Sequence, residues 1–377
     1  MNDWSAVAHQ RLPPLSHTNL LAGQESPCAK GHLPPSTISV FQLFSFSAFQ
    51  LFPTVSPGRL WLEFRRDLRR GARAAWNHRI VAPRITRWRP SPEIAAAGPV
   101  PVHIVGGREH LLLGAWMLVS WFHHSGRRWN VIWHEDGRAP LPDDKLTDWM
   151  ISVLGVRFVS RAEADQVMQP VLDDYPLLRD MRQRLPLMLK LLDVSVLSEP
   201  GRVFLFDPDV LFFQKPGELL DWVDALPDPA GADACWFNQE ADEPNYLDAA
   251  TVKNELGFDL WPRFNSGLGA LNTRIVDLDF CEGIMRDYEV MRGTEFWRNW
   301  RVEQTLMALC CSRHGRGGLL PPTYQVTSEG RLRTDAVSRH YIGAVRDRFW
   351  AEGVNTLKTE IQLPRGLPTK HTKGSEP

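Results

Sequence analysis

The chain has few cysteines, no membrane-length apolar run and almost no charge excess, and each lack excludes something. Its five cysteines (28, 235, 281, 310 and 311) are scattered, odd in number and never spaced C-x-x-C. That argues against a cysteine-based zinc site and suits a reducing compartment. Lys+Arg total 43 and Asp+Glu 44, a net charge of −1, so no global field points to nucleic acid. The most apolar stretch near the start, ISVFQLFSFSAFQLF at 38–52, falls short of the ~18 residues of a membrane span. It is broken by Ser and Gln and lies too far in for an ordinary signal peptide. What remains is a 377-residue chain, 43% hydrophobic and 23% charged, the balance of a globular protein with a sizeable core. Trp is abundant, at 15 residues. Aromatic platforms suit sugars, although packing in a core is the commoner use of Trp.

Composition divides the chain. Residues 1–57 hold Pro, Ser and His without a period and are expected to be a poorly ordered extension; upstream sequence read from a misplaced start is a second explanation. Residues 58–99 are read as an Arg-rich amphipathic helix and linker. Within 59–90 there are ten Arg, no Lys, and Glu63 and Asp67 as the acids, a local net charge of +8. Trp61, Phe64, Leu68, Ala72 and Trp76 recur at helical spacing, which suits a helix lying on an anionic membrane. An Arg-rich linker helix packed on the body fits the same pattern. PSPEIAAAGPVP, at 90–101, has linker composition. Residues 100–352 are expected to form the main domain, and 353–377 a flexible tail.

Within the main domain, strands and helices alternate. VHIVGG (102–107), WNVIWHEDG (129–137), VRFVS (156–160) and RVFLF (202–206) read as strands, and 111–124, 143–154 and 182–197 as helices. After residue 209 the pattern loosens, with strands expected at 234–240 and 264–272 and helices at 275–291 and 302–313. Such alternation predicts an α/β fold with a mainly parallel central sheet flanked by helices. Ligands of such sheets bind beyond the carboxyl ends of the strands.

There the sequence GRVFLFDPDVLFF, at 201–213, places two carboxylates inside its most apolar segment. A buried carboxylate is costly unless paired, hydrated or metal-bound. Residues i and i+2 of an extended chain point the same way, so Asp207 and Asp209 are expected to converge on one ion, with Pro208 stiffening the corner. Hard divalent cations such as Mg²⁺ and Mn²⁺ take such oxygen ligands and neutralise a diphosphate leaving group. D-x-D alone is a weak signal, and a surface loop is its usual explanation; the apolar frame on both sides strengthens it here.

Four stretches in order, FLFDPD, FNSGLGALN, EQTLMA and HYIGAVRDRFW, carry a resemblance. From about 100 to 350 the chain resembles the GT-A glycosyltransferases, and looks most like the glycogenin-like family that includes bacterial lipopolysaccharide galactosyl- and glucosyltransferases. The resemblance implies a GT-A, Rossmann-like nucleotide-diphospho-sugar transferase fold and a metal-dependent transfer of sugar to a hydroxyl acceptor, a cell-surface or lipid-linked glycan. It implies Asp207, Asp209 and His340 as ligands of Mn²⁺ or Mg²⁺, with Asp207 also touching the ribose. Gly343 and Arg346 would lie against the diphosphate of a nucleoside-diphospho-sugar, a UDP-sugar being favoured. Lys190 stands where the family often has an Arg facing the donor, although a solvated helix lysine is the rival explanation. Asn265 and Ser266 would meet the transferred sugar. Glu303-Gln304 matches the family's Asp-Gln pair beneath the anomeric carbon, as a stabilising group in a retaining enzyme or, through Glu303, a general base in an inverting one. Asp136, in HEDG, falls where related folds hold base or ribose, and Gly106-Gly107 where they receive the base. The sequence departs from the family at Glu303, at Thr305, and after Arg346, where Asp347-Arg348-Phe349-Trp350 replaces Pro-Trp.

Two other readings remain open at this point. A nucleotidyltransferase shares the fold class and acidic metal site, although only VGGREH follows the first strand. A GT-A body that binds without turnover is the non-enzymatic alternative. The expected setting is cytoplasmic, peripheral to the inner membrane through residues 59–90, with a nucleotide-sugar and a glycan as partners and no nucleic acid.

Overall fold

The computed structural model describes residue 65 and residues 71–228, 233–240, 247–293, 300–361 and 363, all within one compact unit, Leu62–Pro377. The expectation for 1–57, and most of that for 58–70, lies outside the described residues.

The first described helix, α1 (Ala72–Trp76), runs on through a wider turn at Asn77–Val81 into a tight turn at Ala82–Arg87. Then follow β1 (Val102–Gly106), α2 (Leu111–Ser125), β2 (Val131–Glu135), α3 (Lys145–Trp149), β3 (Val156–Val159), α4 (Arg161–Val171), α5 (Pro176–Arg184), α6 (Met188–Leu197) and β4 (Arg202–Phe206). The looser half adds β5 (Val210–Phe212), α7 (Gly217–Asp224), β6 (Cys235–Gln239), α8 (Ala249–Leu256), β7 (Phe264–Asn272), α9 (Leu278–Arg292) and α10 (Val302–His314). The chain closes with β8 (Gly317–Leu319), β9 (Tyr324–Val326), β10 (Ser338–His340) and α11 (Val354–Glu360).

Seven strands form the central sheet in the order β3-β2-β1-β4-β7-β6-β8. β7 pairs antiparallel with both β4 and β6, and the other pairings are parallel, so every strand but β7 runs the same way. The expected mainly parallel α/β sheet is what forms. Side chains alternate between two cores: along β4, Phe204 and Phe206 enter the core under α2, whereas Val203 and Leu205 enter the one under α6, α9 and α10. A second, three-stranded sheet has the order β5-β10-β9.

Four local readings change. The helix expected over 182–197 is two helices, because Leu185 is extended before Pro186, where the ring disfavours the helical conformation. The linker at 90–101 is tied to the body: Gly98 N–H donates to Arg128 O at 2.6 Å, and Ile94 and Val100 are buried. Val354 and Leu357 of α11 are fully buried, so the domain continues to Ile361 instead of giving way to a tail at 353. Finally, Ala74, Ala75, Val81, Ala82, Ile85 and Trp88 form an inward face on the body, while Ala72 and Trp76, members of the expected apolar stripe, face outward with Arg73 and Arg84. No helix among the described residues is long and apolar enough to cross a membrane.

Candidate active site

β4 delivers Phe206 into the core and stops. Asp207 N–H donates to Gly267 O (2.7 Å), and Val210 N–H returns to Asp207 O (3.2 Å). Asp207-Pro208-Asp209 is therefore a tight reversal, not the extended i, i+2 arrangement expected from sequence. The reversal starts β5, which pairs with β10 so that Val210 lies opposite His340. Tyr341 N–H closes the register on Asp209 O at 2.9 Å. Backbone pairing across about 130 residues of sequence carries His340 onto the aspartates.

Ligand atoms of Asp207, Asp209 and His340 lie within 4.8 Å of one another. His340 Nε2 is 3.1 Å from Asp209 Oδ1 and 3.5 Å from Asp207 Oδ2. Lys190 Nζ meets Asp207 Oδ1 at 2.6 Å, and the Arg346 fork meets Asp209 Oδ2 at 3.0 and 2.8 Å. Lys190 is 4% exposed, which rules out the solvated-lysine reading. Burial pushes the Asp209 carboxyl up, but His340 and the Arg346 guanidinium together hold it well below the usual range. Burial alone would lower His340 and Lys190; the facing carboxylates keep both above their ordinary values. Two carboxylates and one imidazole nitrogen around a shared point are a fitting donor set for Mn²⁺ or Mg²⁺.

β7 supplies the floor. Because it runs against its neighbours, its first residues lie at the edge where the parallel strands end. Asn265 Oδ1 accepts from Gly267 N–H and pairs with His340 Nδ1, both at 3.0 Å. A Cβ on Gly267 would fall 2.2 Å from His340 Cε1 and 2.9 Å from Asp207 Oδ2, so only glycine lets the imidazole lie flat on the strand. Ser266 faces the other way, to the start of α10: its hydroxyl donates to Glu303 Oε2 (3.0 Å) and its N–H to Gln304 Oε1 (3.1 Å).

Glu303 and Gln304 are 1% and 4% exposed. Burial, with Asp207 adding to it, raises the Glu303 carboxyl to about 7 against the opposing pull of Lys190 and Ser266. Glu303 Oε1 and Gln304 Nε2 have no hydrogen-bond partner. Buried polar atoms left open in this way, an acceptor beside a donor, are what a hydroxyl-bearing ligand satisfies.

These groups line one cavity of about 480 Å³, which Val105, His110, Trp300 and Arg301 also border. Of the residues expected from sequence, Asp207, Asp209, His340, Lys190, Asn265, Ser266, Glu303, Gln304, Gly343 and Arg346 all border it. Asp136 is not among the lining residues: its carboxylate accepts from Arg138 N–H (3.0 Å) and clusters with Glu109 and His110, the last of which borders the cavity. Glu240, which accepts from Asn265 Nδ2 at 2.9 Å, was not expected. Its signal was the one that marked Asp207, a carboxylate directly after a sheet strand. Trp300 was missed because Trp is common in this chain. Trp116, Trp121 and Trp133 are fully buried, whereas Trp300 remains 51% exposed at the cavity.

Similar architectures occur in solved glycosyltransferases. No protein-family model matches the chain, and no curated protein does. Among solved structures, the bifunctional glycosyltransferase WbbM is similar over 73% of this chain, at 13% identity and a TM-score of 0.42; the match spans 52% of the WbbM chain, about half its length. The galactosyltransferase LgtC, solved with donor and acceptor sugar analogues, is similar over 71% of this chain and 98% of its own, at 12% identity and a TM-score of 0.42. Mouse xyloside xylosyltransferase 1 is similar over 66% of this chain and 99% of its own, at 12% identity and a TM-score of 0.40.

Proposed function

We propose that the protein is a metal-dependent glycosyltransferase that moves a sugar from a nucleoside-diphospho-sugar, a UDP-sugar being favoured, to a hydroxyl of a glycan or lipid-linked acceptor. One observation carries the reading: an Asp-Asp-His donor set and two buried, unpartnered polar atoms of Glu303 and Gln304 border the same cavity.

Asp207, Asp209 and His340 would hold Mn²⁺ or Mg²⁺, which when bound supplies positive charge to a departing diphosphate. Arg346, bonded to Asp209, would offer a guanidinium fork, and Gly343, on the same cavity, close backbone approach to the same phosphates. Lys190, locked on Asp207, offsets one of the two carboxylates at this end of the cavity. At the sugar end, Gln304 Nε2 donates to a hydroxyl or ring oxygen and Glu303 Oε1 accepts from one. A Glu303 carboxyl that titrates near neutrality is suited to take the acceptor's proton, which would give an inverted product; a retained product would instead assign Gln304 the stabilising role. Trp300, half-exposed at the cavity, suits an acceptor sugar ring. The outward Arg73, Trp76 and Arg84, with no acid between residues 71 and 90, suit peripheral contact with an anionic membrane holding a lipid-linked acceptor.

The test is calorimetric titration of UDP and GDP into the protein with and without Mn²⁺, beside Asp209→Asn. Metal-dependent binding of one nucleotide, lost in the variant, supports the reading and names the donor class. Absence of binding under both conditions sinks it, and release of pyrophosphate instead of nucleoside diphosphate on turnover would reassign the protein as a nucleotidyltransferase.

A further inference from the structure

Sequence motifs alone place Asn265 beside the transferred sugar, but its side chain is fully engaged elsewhere. Asn265 Oδ1 accepts from Gly267 N–H at 3.0 Å and lies 3.0 Å from His340 Nδ1; Asn265 Nδ2 donates to Glu240 Oε2 at 2.9 Å. The amide orientation is fixed twice over. The Gly267 backbone N–H is only a donor, so it requires oxygen at Oδ1, and the Glu240 carboxylate oxygen accepts from the NH₂ at Nδ2. With oxygen facing it, His340 Nδ1 must carry a hydrogen. Nε2 is then the nitrogen that faces Asp207 and Asp209, at 3.5 and 3.1 Å, and is placed to bind an ion held between them. Both Asn265 (4% exposed) and His340 (5%) are buried, so water does not compete for these bonds.

From this chain we infer that Glu240 and Asn265 are positioning residues for the metal centre: through Asn265 Oδ1 they select the Nδ1–H tautomer of His340 and turn Nε2 into a metal ligand. This rests on the metal site of the proposed function. It assigns Glu240 a role that its place after β6 does not show, and it moves Asn265 from the sugar to the ion. Outer-shell partners of a ligating imidazole fix its tautomer and ring direction, and their loss typically costs about 10–100-fold in metal affinity. Gly267 is the third member, since its missing Cβ lets the ring lie on the strand while its N–H orients the amide.

The chemistry allows an exchange that keeps the total charge. In Asn265→Leu the oxygen is removed with shape and charge retained. In the paired exchange Glu240→Gln with Asn265→Asp, the carboxylate accepts from both Gly267 N–H and His340 Nδ1–H, and the amide now donates from position 240. The test is Mn²⁺ affinity by EPR together with pulsed EPR detection of directly bound ¹⁴N, with His340→Gln identifying the nitrogen signal. The expected result is a nitrogen-coupled Mn²⁺ in the wild type and about 10–100-fold weaker binding without the coupling in Asn265→Leu. Affinity and coupling should both return in the exchanged pair. A merely structural role would not move the nitrogen coupling while leaving Mn²⁺ bound.

Retention of wild-type affinity and coupling in Asn265→Leu overturns the inference. So does an exchanged pair whose urea midpoint matches the wild type but whose Mn²⁺ behaviour stays that of Asn265→Leu. Bound Mn²⁺ without nitrogen coupling in the wild type overturns it while leaving the aspartates as ligands. No Mn²⁺ binding to the wild type fails the metal site itself, and the inference falls with it.

Discussion

Replacing Glu303 by Gln should make the protein more stable at high pH and leave it nearly unchanged at low pH. Burial raises the Glu303 carboxyl from an ordinary 4.5 to about 7. That is a difference of roughly 2.5 units, worth about 3 kcal/mol at 1.36 kcal/mol per unit. The sign follows from which state releases the proton first. Between the two pKa values the unfolded chain has lost its proton and the folded one retains it, so stability falls as pH rises from about 4.5 through about 7 and is flat above. Glu303→Gln keeps the shape and can still accept from the Ser266 hydroxyl, but has no proton to lose. Its stability relative to wild type should therefore climb by roughly 2–3 kcal/mol between pH 5 and pH 8. Urea unfolding of both proteins in EDTA at half-unit pH steps measures the gap. His103 and His134 complicate the absolute curves: burial holds them at about 3 and about 4, so both proteins weaken as pH drops below about 6.5. They cancel in the difference. A gap constant to within about 0.5 kcal/mol over that range would show that Glu303 is ionised in the fold and would remove it as a group titrating near neutrality.

Other consequences are open to direct measurement. Gly267→Ala should abolish Mn²⁺-dependent nucleotide binding with the fold retained, since the added methyl falls on His340 and Asp207; calorimetry with Mn²⁺ and UDP would show unchanged affinity if the close approach is not needed. Asp193→Ala should lower urea stability by about 3–5 kcal/mol, because it strands the 5%-exposed Arg182 that Asp193 holds at 2.6 and 2.8 Å. A loss below about 1 kcal/mol would mean that Arg182 finds full compensation in Asp165. Trp76→Ala with Arg73→Glu and Arg84→Glu should reduce flotation with phosphatidylglycerol vesicles without affecting nucleotide binding, and equal flotation would discard the membrane contact.

Periodicity alone located much of the fold. β1, β4 and α2 are apolar enough that their burial left little choice, and RVFLF and FNSGLGALN end where the strands do. The Asp207-Pro208-Asp209 pair was legible because carboxylates inside an apolar run demand a partner. What stayed hidden was local or distant. β8 and β9 are three residues each, too short to show a period, and the reversed direction of β7 depends on which neighbours it meets. The helix after Arg161 and the break at Pro186 compete with patterns of similar strength.

Sequence by itself marked two aspartates conspicuous in an apolar frame at the end of a strand, and the order of its motifs singled out a histidine, an Asn-Ser-Gly and a Glu-Gln through their resemblance to a known family. Tertiary structure decided what they do to one another. The β5–β10 pairing is a long-range hydrogen-bonded register, and it alone brings His340 to Asp209. The Glu303 carboxyl is ordinary in the unfolded chain; its proton affinity changes because folding removes its water and leaves Asp207 and Lys190 on either side of the balance. Asp136, another carboxylate after a strand, accepts from the backbone N–H of Arg138 and clusters with Glu109 and with His110, which borders the cavity, a placement that its position in the chain does not show. Motif order is written along the chain, but burial, hydrogen-bond direction and close approach are properties of neighbours, and neighbours exist only after the sheet has closed.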